Sequence, residues 1–118
     1  MTLERKTVLD LIAPKEDGTV EVRMQKQTVL DGEVLQAQFH RTIVDPLGDV
    51  DEQFGLVNTH LAQMGFGPVS TAEIGVVRDT AAAVRAFPDV AARIAAIKAR
   101  REAEEAEGNA TADAGEPT

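Results

Sequence analysis

Two histidines, His40 and His60, are the only imidazoles in this chain of 118 residues, and there is no cysteine. Imidazole suits metal ligation or general base work, but both need companions at set spacing. No H-E-x-x-H or similar arrangement surrounds either residue. His40 falls in a strand expected to show its polar side to solvent, beside Arg23, and His60 falls mid-helix off the apolar stripe. Both read as exposed side chains. Asp45, Asp49, Asp51 and Glu52 form an acidic cluster. It lacks the D-x-[DN]-x-[DN]-G loop of a calcium site, and turn or helix-cap duty accounts for it more simply. Ser70 has no base spaced to activate it and reads as a cap. Gly65 and Gly67 follow no strand and open no G-x-G-x-x-G phosphate cradle. No catalytic residue, cofactor-binding residue or metal ligand is therefore expected, no cofactor is expected, and the chain reads as a non-enzyme.

The elements that would position these residues divide the chain in two. "TVLDGEVL", residues 28–35, joins two β-prone runs through Asp31-Gly32. A type I′ turn there needs positive φ at both central residues, which Asp tolerates and Gly accepts freely. A two-residue loop pairs Leu30 with Glu33, Thr28 with Leu35, Lys26 with Ala37, Met24 with Phe39 and Val20 with Ile43. One face then collects Val20, Val22, Met24, Leu35, Ala37, Phe39 and Ile43 as the core side. The other collects Glu21, Arg23, Gln25, Gln27, Gln36, Gln38, His40 and Thr42. Arg41 is the exception, a charge on the apolar side opposite Val22. The glutamines 25, 27, 36 and 38 read as a solvated ladder or the edge of an oligomer contact. Residues 6–12 supply a third strand, with turn chemistry at 13–18, giving a three-stranded antiparallel meander over residues 1–48.

Residues 49–104 read as the helical part of the same domain. Asp49 or Asp51 caps a first helix, whose apolar stripe is Phe54, Val57, Leu61 and Met64, with Gly65 at its end. Phe66 either plugs the sheet or presents itself to a partner. Ser70 and Glu73 have the spacing of a capping box, and Ile74, Val77, Ala81 and Val84 form the next stripe. Pro88 kinks or briefly breaks that helix at Phe87-Pro88, and Val90, Ile94 and Ile97 carry a third stripe. Residues 105–118 lack bulky apolar groups and read as a disordered acidic tail. The fold class is α+β, a meander followed by two or three helices.

Composition narrows the function. The net charge of −8 is uneven: six acids and no base lie from Glu102 onward, while twelve bases against fourteen acids leave residues 1–101 at −2. Nothing forms the basic surface that displaces phosphate counterions, so no nucleic-acid partner is expected. No apolar run approaches a membrane span and no secretory signal opens the sequence, so no membrane partner is expected. With four Phe and neither Trp nor Tyr, the core is thin in rings, which favours self-association or docking on a partner.

Residues 16–49 resemble a group of small phage-encoded proteins whose pattern is D-G-x-I-x-V-R, a D-G turn, and a strand ending H-R-x-x-I-x-P-G-D-D. The matching stretches are Asp17-Gly18-Thr19-Val20-Glu21-Val22-Arg23, then Asp31-Gly32, then His40-Arg41-Thr42-Ile43-Val44-Asp45-Pro46-Leu47-Gly48-Asp49. This sequence departs by inserting Leu47 before Gly-Asp and by placing Val50 where a second acid is usual. Such proteins tend to be encoded among tail and tail-fibre genes of tailed phages and prophages. The resemblance implies a virion or assembly protein, located in the tail or in the host cytoplasm during assembly, with phage tail or other virion proteins as partners and possible homo-oligomers. It transfers no catalytic residue. Arg41, His40 and Phe66 are the candidate contact residues. A host-type regulatory module whose acidic tail captures a basic partner is the alternative.

Overall fold

The structure, a computed structural model, describes the backbone of residues 2–115 and the side chains of residues 2–107. Strands β1 (Leu3–Pro14), β2 (Val20–Leu30) and β3 (Glu33–Val44) are followed by helices α1 (Val50–Gln63), α2 (Thr71–Arg85) and α3 (Pro88–Gly115). The sheet is an antiparallel meander in the order β1-β2-β3, with α2 lying over β1 and α1 over β3 on the same face. The α+β class and the meander-then-helices order are as expected from the sequence. Of the tail expected to be disordered, residues 116–118 and the side chains of 108–115 lie outside the described residues.

The hairpin turn forms as expected, with φ of 50° at Asp31 and 86° at Gly32. The expected register holds only for the first two pairs, Leu30 with Glu33 and Val29 with Val34. A bulge then leaves Leu35 unpaired, and every later pair moves by one residue. Thr28 faces Gln36, Lys26 faces Gln38, Met24 faces His40, Val22 faces Thr42 and Val20 faces Val44. Because side chains alternate, one extra residue exchanges the two faces of a strand. β2 keeps its expected orientation, with Val20, Val22 and Met24 inward. β3 is inverted: Thr42 and Val44 are buried, while Leu35, Ala37, Phe39 and Ile43, expected in the core, are exposed. Gln36 and Gln38 stand on the opposite face from Gln25 and Gln27, so the expected ladder is two separate pairs. Arg41 faces Arg23 rather than Val22.

The core lies between the inner sheet face and the first two helices. Val20, Val22, Met24 and Val44 pack with Phe54, Val57 and Leu61 of α1, with Ile74, Val77 and Ala81 of α2, and with Val69 between the helices. Leu9, Ile12, Met64 and Phe66 close its margin. These are the helix stripes read from the sequence. Phe54 is the largest side chain fully buried, and it replaces Phe39 as the ring at the centre of the core.

The caps are those the sequence signals. The Asp49 carboxylate accepts from the N–H groups of Asp51 and Glu52 at 2.7 and 3.2 Å, starting α1. Gly65, at φ 83°, follows its C-cap. Ser70 and Glu73 form the reciprocal capping box of α2. Glu73 does more: its other carboxylate oxygen accepts from the Leu9 N–H at 2.5 Å, so the residue that starts α2 also satisfies an edge donor of β1. Burial alone would raise the Glu73 carboxyl, but the hydrogen bonds from Leu9 and Ser70 outweigh it and hold the group below its ordinary value of 4.5.

α3 is fixed at the opposite end of the sheet from the Asp31-Gly32 turn. Gly18, at φ 92° in the β1–β2 turn, lies against Ile94; a Cβ there would come within 2.6 Å of the Ile94 side chain. Arg93 donates to the Glu16 carbonyl at 3.1 Å, and Arg101 donates twice to the Asp45 carboxylate at 2.6 and 2.8 Å. That bidentate pair holds the Asp45 carboxyl below its ordinary value. Arg85 of α2 donates to the carbonyls of Asp45 and Gly48, tying the β3–α1 loop to the second helix.

Two expectations follow. Phe54→Ala should cost about 3–5 kcal/mol, as for a ring removed from a packed core, whereas Phe39→Asp, on a half-exposed side chain, should fold and melt within about 1 kcal/mol of the parent. Denaturant titration of both variants checks this, and an unfolded Phe39→Asp protein would return Phe39 to the core. Glu73→Ala should cost about 1–2 kcal/mol through the lost cap and the freed Leu9 N–H. The folded Glu73 carboxyl lies below its unfolded value, so its contribution is present above pH 4.5 and lost as pH falls through the folded value. Acid unfolding of Glu73→Gln should accordingly show a shallower slope there than the parent.

Candidate functional site

The outer face of the sheet is bare. From β1 it presents Leu11 and Ala13, from β2 Glu21 and Arg23, and from β3 Leu35, Phe39, Arg41 and Ile43. Phe39 is 52 % exposed and Ile43 57 % exposed, well beyond the value for a core side chain. Among the described residues no helix covers them, since α1 and α2 both occupy the inner face. Contiguous exposed apolar area of this kind marks interaction surfaces in soluble proteins.

Local chemistry holds this face in shape. A second bulge, between Leu9 and Leu11, frees Asp10, whose carboxylate pairs with Arg23 at 2.6 Å. Thus oriented, the Arg23 guanidinium stacks over the Phe39 ring, 4.4 Å from its centroid. Arg41 approaches the same ring at 5.6 Å. One aromatic ring therefore carries two guanidinium groups, an arrangement worth about 0.5–1 kcal/mol per exposed pair. Beside it, Leu11, Ala13, Val22 and Ile43 floor a shallow pocket of about 170 Å³, rimmed by Glu21, Arg23 and Arg41. An apolar floor with arginines at its margin has the composition of a protein contact.

The three candidate contact residues separate. Arg41 lies on this face. His40 lies on the inner face opposite Met24, beside α1, and not beside Arg23 on a polar side as expected. Phe66 packs, partly buried, at the core margin, with the Lys26 ammonium 5.6 Å from its ring. Phe39, Ile43, Leu35, Leu11 and Arg23, which also stand here, are not among the contact residues expected from the sequence. The signal that could have found them is Val34-Leu35, two adjacent apolar residues next to a tight turn, where strict alternation fails and a bulge belongs.

Away from that face, the two histidines meet. Their ring centroids are 5.6 Å apart and tilted by 55°, in a groove of about 250 Å³ with Gln53, Thr42 and Val57. Gln53 donates to the Thr42 hydroxyl at 2.7 Å. Among the described residues, no carboxylate lines the groove. Among the described residues, no group of three or more His, Asp or Glu side chains is placed to hold a metal ion. Burial, and then the positive charge of Lys26 and the neighbouring His60, push the His40 imidazole below its ordinary value of 6.5. The acidic cluster is occupied structurally: Asp45 with Arg101, Asp49 as a cap, and Asp51 with Arg78 at 3.3 Å. Among the described residues, no helix is long and apolar enough to cross a membrane.

Comparison of the chain with family models, with curated proteins and with solved structures returns no match.

The histidine pair generates a pH prediction. A depressed His40 binds its proton more weakly in the folded chain than in the unfolded one. Stability is therefore full above the unfolded value near 6.5 and declines as pH falls from there toward the folded value. His40→Gln should flatten that decline, and His60→Gln should reduce it by removing one of the neighbouring charges. Denaturant midpoints measured from pH 7.5 to 5 check both, and a parent with no slope in that interval would show that the imidazole is unperturbed.

Proposed function

We propose that the chain is a non-enzymatic component of a phage tail module, part of the virion or of its assembly, and that it acts through protein contacts made by the outer face of its sheet. One observation carries this reading: a half-exposed Phe39 and Ile43, framed by Arg23 and Arg41, on a face that no part of the described chain covers. The context comes from the resemblance of residues 16–49. Its positions serve two ends in this fold. Asp17, Gly18, Asp45 and Asp49 build turns, a cap and the α3 attachment. Arg23, Arg41 and Ile43 stand on the bare face.

The experiment replaces Ile43 with Asp in a phage that encodes this chain. The variant should fold as the parent does in solution yet produce few complete tails by electron microscopy, and immunoblotting should find the parent chain in tails or tail intermediates. Normal tail yield from Ile43→Asp, with the chain absent from every assembly fraction, would defeat the reading.

A further inference from the structure

We propose that β3 is a pairing edge and that its occupant is a second copy of this chain, docked antiparallel about a two-fold axis so that two three-stranded sheets join into one of six strands. The inference deepens the reading above and rests on it, because it names the first partner of that surface.

The two edges of the sheet are treated differently. β1 is guarded. Gly67 donates to the Arg5 carbonyl at 2.9 Å, and Glu73 accepts from the Leu9 N–H. β3 has no such cover: among the described residues, no backbone hydrogen bond joins it to anything but β2. It is also long, at 12 residues. A bare edge presents a row of unpaired N–H and C=O groups, and natural sheets blunt such edges with Lys, Pro or inward charges. Between Val34 and Val44 there is no Lys, Pro or acid, and Arg41 is the single charged group. The bulge at Leu35 interrupts the edge near the turn, but from Gln36 to Val44 the strand is regular and carries neither Lys, Pro nor acid.

The strand suits its own copy. A strand related to itself by a two-fold axis pairs antiparallel, and the interface closes after two copies. Glu33 and Arg41 cancel within β3, so the strand itself brings no net charge to the seam. Cross-strand neighbours then stand about 5 Å apart, which sets Leu35, Phe39 and Ile43 of one copy beside those of the other. The outer apolar stripe becomes continuous across both sheets.

The surface of the chain points the same way. A compact monomer of 12.6 kDa exposes about 6,200 Å², and this chain exposes 7591 Å². Its radius of gyration is 19.0 Å, against about 13.5 Å for a compact domain of this length. The length of α3, 28 residues reaching Gly115, contributes to both figures. A standard interface removes about 800 Å² from each partner, which the excess accommodates.

The test is the mass of the full chain in solution, by size-exclusion chromatography with light scattering over a dilution series. The expected result is twice 12.6 kDa at high concentration, falling toward 12.6 kDa on dilution. Amide exchange in residues 36–44 should slow in step with the mass. Phe39→Lys and Ile43→Lys place a guard on β3 and should give monomers with the parent circular dichroism spectrum. Val76→Lys, on the exposed side of α2, should leave the doubled mass intact. A parent of single mass at every concentration overturns the proposal, as do lysine variants that keep the doubled mass. If either lysine variant unfolds, concentration-dependent exchange in the parent decides alone. The two readings separate cleanly. A monomeric parent whose Ile43→Asp form still blocks tail assembly removes the second copy and keeps the docking surface. A dimeric parent whose Ile43→Asp form assembles normal tails keeps the pairing edge and removes the tail role.

Discussion

One unpaired residue, Leu35, determines which side of β3 faces the core. The turn at Asp31-Gly32 starts the hairpin in the register that a two-residue loop dictates, and the bulge two residues later replaces it with another. Through that step Val44 comes opposite Val20 and Thr42 opposite Val22, completing a surface of small branched side chains on which Phe54, Leu61 and Val77 close. The same step turns Phe39 and Ile43 outward. Burying Val44 and exposing Ile43 are thus a single event. With side chains exchanging faces at every residue, no intermediate arrangement is open to the strand.

The sequence is legible where a signal is local. The Asp-Gly turn, the Asp49 cap, the Ser70–Glu73 box, the stop at Gly65 and the break before Pro88 are each decided by a few neighbouring residues, and each stands where the residues place it. The apolar stripes of α1 and α2 are equally plain, since helical spacing is set within one element. The register of β3 is of another kind. Leu35, Phe39 and Ile43 form one alternation; Val34, Thr42 and Val44 offer another, and β3 alone does not choose between them. The choice is made by what α1 brings to the inner face, above all Phe54 and the Gln53 amide that donates to Thr42. That information lies in a different element, beyond the reach of a period-two reading. The misplacement of His40 and the separation of Arg41 from the core follow from it, as does the meeting of His40 with His60, which needs both the register and the lie of the helix.

The polar residues that could suggest chemistry are mostly committed to architecture. Asp45 is held by Arg101, Asp49 by its own helix, Asp51 by Arg78 and Glu73 by a strand and a helix together. The arginines divide: Arg85, Arg93 and Arg101 fasten loops and helices, while Arg23 and Arg41 attend Phe39 in the open. The sheet therefore has one face buried beneath the helices and one exposed, and residues 16–49 contribute to both.

The shared carboxylate of Glu73 links two liabilities that are ordinarily separate. Detaching α2 from the sheet breaks its first turn and in the same motion uncovers the strand beside it. A frayed helix here is accordingly a newly sticky ribbon as well, with Leu9 left seeking an acceptor. Partial opening at this corner is penalised twice over, so the corner should move as one cooperative unit. Its loosening, when it comes, would lead toward disordered clumping more readily than toward a benign, helix-free intermediate.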